Sequence, residues 1–434
     1  MYLRPLLAAC LASSLVFGAV AMNSTSSGLP GLRIRFAPEV HLVGMHPTRL
    51  SHSAWAGDEL AQLLRMGSGR FLALGQMNSG QSTIAWLNAQ GAVLRQWAIQ
   101  GYLSSAIQVG DTAWAPLAGH HTVLLCITPD GVRRYPWPVA TPPTWTAGEM
   151  LPNRVASGPN DRLWVTGGQV VSPMKTADPN APSQDPNSRG PLFHPIVAEL
   201  TPNRMTVAHR WILRGITLGS IATLLVQNAH SVWLAASTGR SGIVYPGAGG
   251  RPELIHVDPA TGRVTVFPIP TRRLNIWDRP FAVYALTSLP GGSLGVIFRN
   301  PRASSQIVPT LYRWSPGRNY WQLWAGAASS QSQLWPDAVT TNLGGQVWFS
   351  DTPAAGSVTE GIPGHTTGAI LRGLGSWEVL FQPTNVQRPA YAFVPALAQS
   401  GGYLWAIATD STDFQKVWWL KFRLTARTPA SNRR

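Results

Sequence analysis

The feature that most constrains this chain is a turn-and-tryptophan unit that it repeats. Leu343-Gly344-Gly345-Gln346-Val347-Trp348-Phe349-Ser350-Asp351 sets a tight glycine turn before a short apolar strand with tryptophan at its centre. Residues 400–407, 160–165 and 228–234 repeat it around Trp405, Trp164 and Trp233, and 110–114 is a shorter copy ending on Trp114. In 67–74 leucine (Leu72) takes the tryptophan's place, and in 290–296 glycine (Gly295) does. The seven anchors, at 72, 114, 164, 233, 295, 348 and 405, lie 42, 50, 69, 62, 53 and 57 residues apart. Strand-like repeats of this length indicate radially arranged sheets rather than a helical solenoid.

Each copy sits in a longer unit. An apolar segment precedes the glycine turn, as in Ala338-Val339-Thr340-Thr341, and a hairpin follows the tryptophan strand. The hairpins turn at Asn88-Ala89-Gln90-Gly91, Pro129-Asp130-Gly131, Pro202-Asn203 and Asp258-Pro259-Ala260-Thr261-Gly262, with two more in 311–324 and 369–381. Turn residues at fixed offsets between alternating runs are hairpin signals. The unit is thus four antiparallel strands, which is one propeller blade. The expected fold is all-β, a seven-bladed β-propeller of four-stranded antiparallel blades. The last unit has a third strand at 416–423 but no fourth. Leu32-Arg33-Ile34-Arg35-Phe36 alternates and has no partner nearby, so it is expected to complete the last blade and close the ring.

Residues 1–21 read as a signal peptide: Arg4, an apolar run from Leu6 to Ala21, and the small-x-small site Ala19-Val20-Ala21. Leu7-Ala8-Ala9-Cys10 also has the letters of a lipoprotein box, so an uncleaved or lipidated N-terminus is the alternative tie to a membrane. The expected location is secreted or extracytoplasmic, in the periplasm or on the cell surface. The propeller then occupies 22–426, and 427–434 is a basic tail expected to be disordered. After cleavage Cys126 has no cysteine to pair with, and its apolar surroundings make it a buried small hydrophobe. Only 12% of residues are charged, yet the net charge is +15, with three lysines (Lys175, Lys416, Lys421) and the rest arginine. Two explanations stand. One is an anionic partner, and the other is an acidic habitat in which few carboxylates remain to be protonated. Nucleic acid is not expected, and the chain is expected to be a monomer.

The unit sorts its loops onto two ends. Tight Gly, Asp and Asn turns share one end. The long loops at 168–195, 239–252 and 353–368, with the connections at 140–154 and 270–280, share the other, which is where a site is expected. A motif recurs there at the start of inner strands, as Asp278-Arg279-Pro280-Phe281, Trp335-Pro336-Asp337 and Arg388-Pro389-Ala390-Tyr391, with Arg154 at the same position in another unit. Arg154, Trp277, Asp278, Arg279, Trp335, Asp337, Asp351, Arg388 and Tyr391 are the candidate ligand-binding residues. Arginine and tryptophan around a concavity suit an anionic or carbohydrate ligand, or a protein partner. The same residues also suit a structural role, with proline setting the strand and arginine binding a neighbouring sheet's carbonyls. No catalytic residue is identified: histidines lack metal-ligand spacing, and no nucleophile elbow or phosphate loop occurs. No cofactor is expected.

Gly344-Gly345-Gln346-Val347-Trp348-Phe349-Ser350-Asp351 resembles the repeat strand of streptogramin-lyase-like propellers. Asp258-Pro259-Ala260-Thr261-Gly262-Arg263-Val264 looks like the hairpin of that family and of the related NHL group. The resemblance extends over about 58–426 at the level of the repeat. It implies an alternative in which a divalent cation, magnesium or calcium, serves a lyase or hydrolase through Asp351 or Asp337. Of the acidic position three residues after the tryptophan only Asp351 matches, with Gly167, Ala236 and Ala408 elsewhere. The leading expectation is an exported, non-catalytic propeller that binds its ligand or partner at the long-loop end.

Overall fold

The computed structural model describes residues 33–36, 40–50, 62–76, 80–103, 106–118, 122–140, 153–172, 192–201, 205–238, 251–274, 283–302, 306–325, 336–341, 347–351, 369–371, 376–379, 392–400, 402–410 and 417–424. The expected signal segment 1–21 and the expected tail 427–434 lie outside them. Among the described residues no helix is long and apolar enough to cross a membrane.

These residues form seven β-sheets, each built on four antiparallel strands, and in all but the last the spatial order of those strands follows the chain. Sheet 1 runs Gln62–Arg65, Phe71–Gln76, Gln81–Leu87 and Val93–Gln100. In sheet 2, Ile107–Val109 and Tyr102–Leu103 both pair with Thr112–Ala118, followed by Val123–Thr128 and Gly131–Pro136. Sheet 3 is Val155–Gly158, Arg162–Ser172, Leu192–Thr201 and Thr206–Ile212. Sheet 4 is Ser220–Asn228, Ser231–Ser237, Pro252–Val257 and Val264–Pro268. Sheet 5 is Val283–Ser288, Leu294–Arg302, Gln306–Ser315 and Tyr320–Ala325. Sheet 6 holds Pro336–Thr341, Val347–Asp351, Ala369–Leu371 and Ser376–Val379. Sheet 7 holds Ala392–Ser400, Tyr403–Asp410 and Val417–Leu424. First strands touch one another from sheet 2 to 3, 3 to 4, 4 to 5, 6 to 7 and 7 to 1, so they are the inner strands and the fourth strands are the outer ones. The arrangement is that of a propeller's blades.

The anticipated turns at 88–91, 129–131 and 258–262 are where the sequence puts them, while Pro202-Asn203 and Gly344-Gly345 lie outside the described residues. In the 258–262 turn, Ala260 N and Thr261 Oγ1 donate to the Asp258 carboxylate at 3.0 and 2.7 Å, and Gly262 takes φ +69°. The carboxylate therefore sits below its ordinary pKa, chiefly because of the Thr261 hydroxyl. Asn88 Oδ1 accepts from Gln90 N and Ala92 N in the same way, with Gly91 at φ +77°.

All seven anchor positions fall on second strands, and the tryptophans among them that can be described are buried. Their role is to cover the next sheet. Trp114 packs with Val155, Leu163 and Val165 of sheet 3. Trp164 packs with Ile221, Leu234 and Val257 of sheet 4, and Trp233 with Val296 and Trp314 of sheet 5. Sheet 1 has Leu72 at its anchor, and the tryptophan moves one strand outward: Trp86 stands directly opposite Leu72 and packs on Ala113 and Leu125 of sheet 2. A second aromatic row lies on the outer strands. Tyr135, Trp211 and Phe267 meet Trp114, Trp164 and Trp233 at centroid distances of 6.0, 5.5 and 6.0 Å, with the Trp164–Trp211 pair stacked at 10°. Burying each tryptophan is worth on the order of 3 kcal/mol. Cys126 joins the core between sheets 2 and 3, and burial pushes its thiol pKa up. It is the small hydrophobe the sequence suggested.

The two ends of the chain meet, but not through the expected strand. Arg33–Phe36 lies parallel to Ser376–Val379 as a fifth strand of sheet 6. The outer strand of sheet 7 is Val40–Thr48, antiparallel to Val417–Leu424, with a bulge between Leu42 and Gly44. Bulge and Pro47 are both tolerated because this strand is an edge. Sheet 7 then closes on sheet 1: Phe71 packs against Trp405 at 5.0 Å and Trp419 at 4.8 Å, and Trp419 Nε1 donates to Ala89 O at 3.2 Å.

A Cβ at Gly91 would overlap Trp419, whereas one at Gly110, also at positive φ, would meet open space. Gly110→Ala should cost about 1 kcal/mol of left-handed strain, and Gly91→Ala roughly 2–4 kcal/mol because overpacking is added. Urea unfolding of the two variants checks this; equal midpoints would show that the 88–92 turn does not seat on Trp419.

Candidate functional site

Of the ten buried polar residues among those described, eight sit at the end of their sheets where first strands begin and second strands finish. They are Ser82, Thr83, Thr122, Asn153, Thr166, Ser220, Ser237 and Thr271. This is the long-loop end. Buried polar groups need partners, and several of these find them in the backbone, as Ser82 Oγ does in donating to Gly101 O at 2.8 Å. Ser220 Oγ and Thr122 Oγ1 have no hydrogen-bond partner among the described residues.

Arg154 stands at this end, one residue before the inner strand of sheet 3. Its backbone continues the ladder: Thr166 N donates to Arg154 O and Arg154 N to Thr166 Oγ1, both at 2.9 Å. The side chain crosses to sheet 4, where Nε donates to Ala222 O at 2.7 Å, and NH1 turns back to Asn153 O at 3.1 Å. Two of the five guanidinium donor hydrogens are thus used on carbonyls. Among the described residues no carboxylate faces it. Burial pushes its pKa down to about 10, so it remains charged at neutral pH. The sequence left two roles for this residue, and the carbonyl contact of the structural one is present. Gln62 makes a comparable clasp between sheets 1 and 2: its amide donates to Ala106 O at 2.8 Å and accepts from Ala106 N at 2.7 Å. Nothing in the sequence marked Gln62, because a glutamine before an apolar pair is common.

The register brings together two other candidates. Pro336 pairs with Asp351, and Asp337 is the extra residue of the bulge that follows, so the two acidic positions are backbone neighbours at the long-loop end of sheet 6. Trp277, Asp278, Arg279, Trp335, Arg388 and Tyr391 lie outside the described residues, as do most of the long loops. No three His, Cys, Asp or Glu side chains converge among the described residues.

At the opposite, tight-turn end, sheet 4 carries a polar network that sequence reasoning missed. Trp233 Nε1 donates to Ser231 Oγ at 2.8 Å, and Ser231 Oγ lies 3.1 Å from His256 Nε2 and 3.3 Å from Gln227 Oε1. His256 also packs on the Trp233 ring at 4.4 Å. By contrast the indole N–H groups of Trp86, Trp114, Trp164 and Trp405 are buried without a partner among the described residues. The network thus satisfies a donor that has no partner among the described residues at Trp86, Trp114, Trp164 and Trp405.

No family model and no curated protein matches the chain. Among solved structures, a variant of the Synechocystis apocarotenoid oxygenase is similar at TM-score 0.33 and 12% identity, over 59% of this chain and 58% of that one. The cobalt-substituted form of that oxygenase gives 0.34 at 12% over the same shares. The β-propeller domain of the Trilobed protease from Pyrococcus furiosus gives 0.45 at 7% identity, over 86% of this chain and 98% of that one. The chain spans 58% of the oxygenase's length. The topology described above stands independently of likenesses this distant.

His256 is held below the ordinary imidazole value of 6.5 by burial, with Asp258 pulling the other way. The unfolded chain therefore binds more protons than the folded one between the folded value and 6.5, so stability falls as pH drops through that window. Unfolding free energy measured from pH 7 to pH 5 should show this loss, and His256→Gln should flatten it. An unchanged slope in the variant would place the titrating group elsewhere.

Proposed function

We propose that the chain is an exported seven-bladed β-propeller that binds an anionic ligand, without transforming it, at the long-loop end where Arg154 lies. Support for the closed ring comes from the apolar cores between sheets 7 and 1, 1 and 2, 2 and 3, 3 and 4, and 4 and 5. Export rests on Arg4, the apolar run behind it and the small-residue site at 19–21. The observation that carries the binding reading is Arg154. A buried cation is costly unless paired, and among the described residues this one meets only neutral carbonyls. An anion reaching its unused N–H groups would form charge-assisted, fork-shaped hydrogen bonds and remove that cost. A propeller holds such a site rigid between two sheets, which favours binding with little reorganisation.

Thermal unfolding with citrate, inorganic phosphate or glucuronate tests it. At about a hundred times Kd a ligand of the folded state adds ~2.7 kcal/mol of stability. At least one of the three should raise the wild-type midpoint, Arg154→Met should abolish the rise, and Arg154→Lys should keep part of it. No rise in the wild type with any of them overturns the reading.

A second reading draws on the neighbouring positions of Asp337 and Asp351: a cation-dependent lyase or hydrolase, as the streptogramin-lyase-like resemblance implies. It expects millimolar Mg or Ca to raise the midpoint of the wild type and not of Asp351→Asn. A cation effect that survives the substitution removes it.

A further inference from the structure

The arginines look evenly scattered along the sequence, but the fold gathers a group of them. The outer strand of sheet 1 carries Arg95, that of sheet 2 carries Arg133 and Arg134, and that of sheet 3 carries Arg210. All four are exposed. Sheets 1, 2 and 3 are consecutive, packed through their shared cores. Their outer strands contain no acidic residue. The outer strands of sheets 4 and 5 and the strand Val40–Thr48 carry no arginine, and the fourth strand of sheet 6 carries Glu378. Arg33 and Arg35 belong to the rim of sheet 6, away from this arc.

The three strands share a register. Arg95, Arg133 and His209 are the cross-strand continuation of the tryptophan anchor row, opposite Trp86, Cys126 and Glu199. Two residues on, on the same face, come Trp97, Tyr135 and Trp211. Arg95 is spent locally, with NH1 donating to Pro129 O and Asp130 O at 3.1 and 2.8 Å across to sheet 2. Those acceptors are backbone carbonyls, which hold the group without neutralising its charge. Arg133, Arg134 and Arg210 have no ion-pair carboxylate among the described residues; the ion pair in this region is Arg162 with Glu199 at 3.5 Å. Charged edge strands also prevent edge-to-edge pairing, but that need applies to every outer strand, and apart from Arg33 and Arg35 the outer-strand arginines occupy three neighbours.

We propose that the rim of sheets 1–3 is a docking surface for a linear acidic polysaccharide bearing carboxylate or sulfate groups. Exposed guanidinium groups on adjacent strand edges offer repeated, fork-shaped anion contacts along a line. Tyr135 and Trp211 are already packed on Trp114 and Trp164, so they present no free platform for nucleobase stacking. Recognition is left to charge and guanidinium geometry. The surface is separate from the Arg154 site and stands or falls independently of it.

The test measures heparin binding of the full chain by calorimetry across a salt series. Arg133→Gln/Arg134→Gln/Arg210→Gln is compared with a charge-matched control, Arg70→Gln/Arg263→Gln/Arg318→Gln, at exposed positions at the tight turns. The rim triple should bind at least about tenfold more weakly at low salt, with the slope of log K against log salt reduced by about two to three, while the control stays within about twofold of the wild type. Equal thermal midpoints establish that the loss is not unfolding; if the triple is destabilised, Arg133→Gln and Arg210→Gln singly carry the comparison. No heparin binding by the wild type, or equal loss in both triples, overturns the proposal. Duplex DNA bound as tightly as heparin overturns the polysaccharide assignment.

Discussion

Everything else in this fold depends on one contact, an aromatic side chain at the middle of one sheet pressed onto the face of the next. A four-stranded sheet alone cannot bury both faces, and here each described tryptophan anchor covers a neighbouring sheet. A row of such sheets would leave two faces open, one at each end. Phe71 against Trp405 and Trp419 covers the face that sheet 1 would otherwise leave open toward sheet 7. The same requirement explains why the anchor can change strand in sheet 1. What must be supplied is an aromatic at that height on that face, and Trp86 opposite Leu72 supplies it.

The repeat made the strand plan legible, because a second-strand tryptophan after a glycine turn keeps its register whatever the loops do. Fourth strands were harder. Their aromatic row is written as Trp97, Tyr135, Trp211 and Phe267, with changing identity and irregular spacing, and it becomes a row only when hairpins of different length are laid side by side. The closing strand was misplaced for a related reason. Val40–Thr48 contains Gly44 and Pro47, which break the alternation, whereas Leu32-Arg33-Ile34-Arg35-Phe36 alternates cleanly. Edge strands tolerate what central strands do not, so the cleaner pattern was the poorer guide to which strand fills the last edge.

The site was legible in part, and the limit is physical. Composition and position pointed to Arg154, since an arginine before an inner strand must reach either a ligand or a neighbouring sheet. It reaches the neighbouring sheet, through Ala222 O. Sequence could not tell that no acidic side chain among the described residues would meet it, because the absence of a neighbour depends on every chain segment that passes nearby. In the same way, Gln62 and the Ser231–His256 pair acquire their roles only from what stands opposite them.

The two ends of the sheets therefore carry different burdens. At the tight-turn end, turns such as 258–262 satisfy their own groups, with Asp258 accepting from Ala260 and Thr261, and little is left over to bind anything. At the other end the inner strands start at residues that must satisfy long connections and hold adjacent sheets together, and buried hydroxyls and amides accumulate there. Packing at mid-strand fixes the sheets independently of either end. An arginine clasp such as Arg154 can then keep a net charge in a protected place, because the sheets are held by the tryptophan contacts rather than by neutralising that charge.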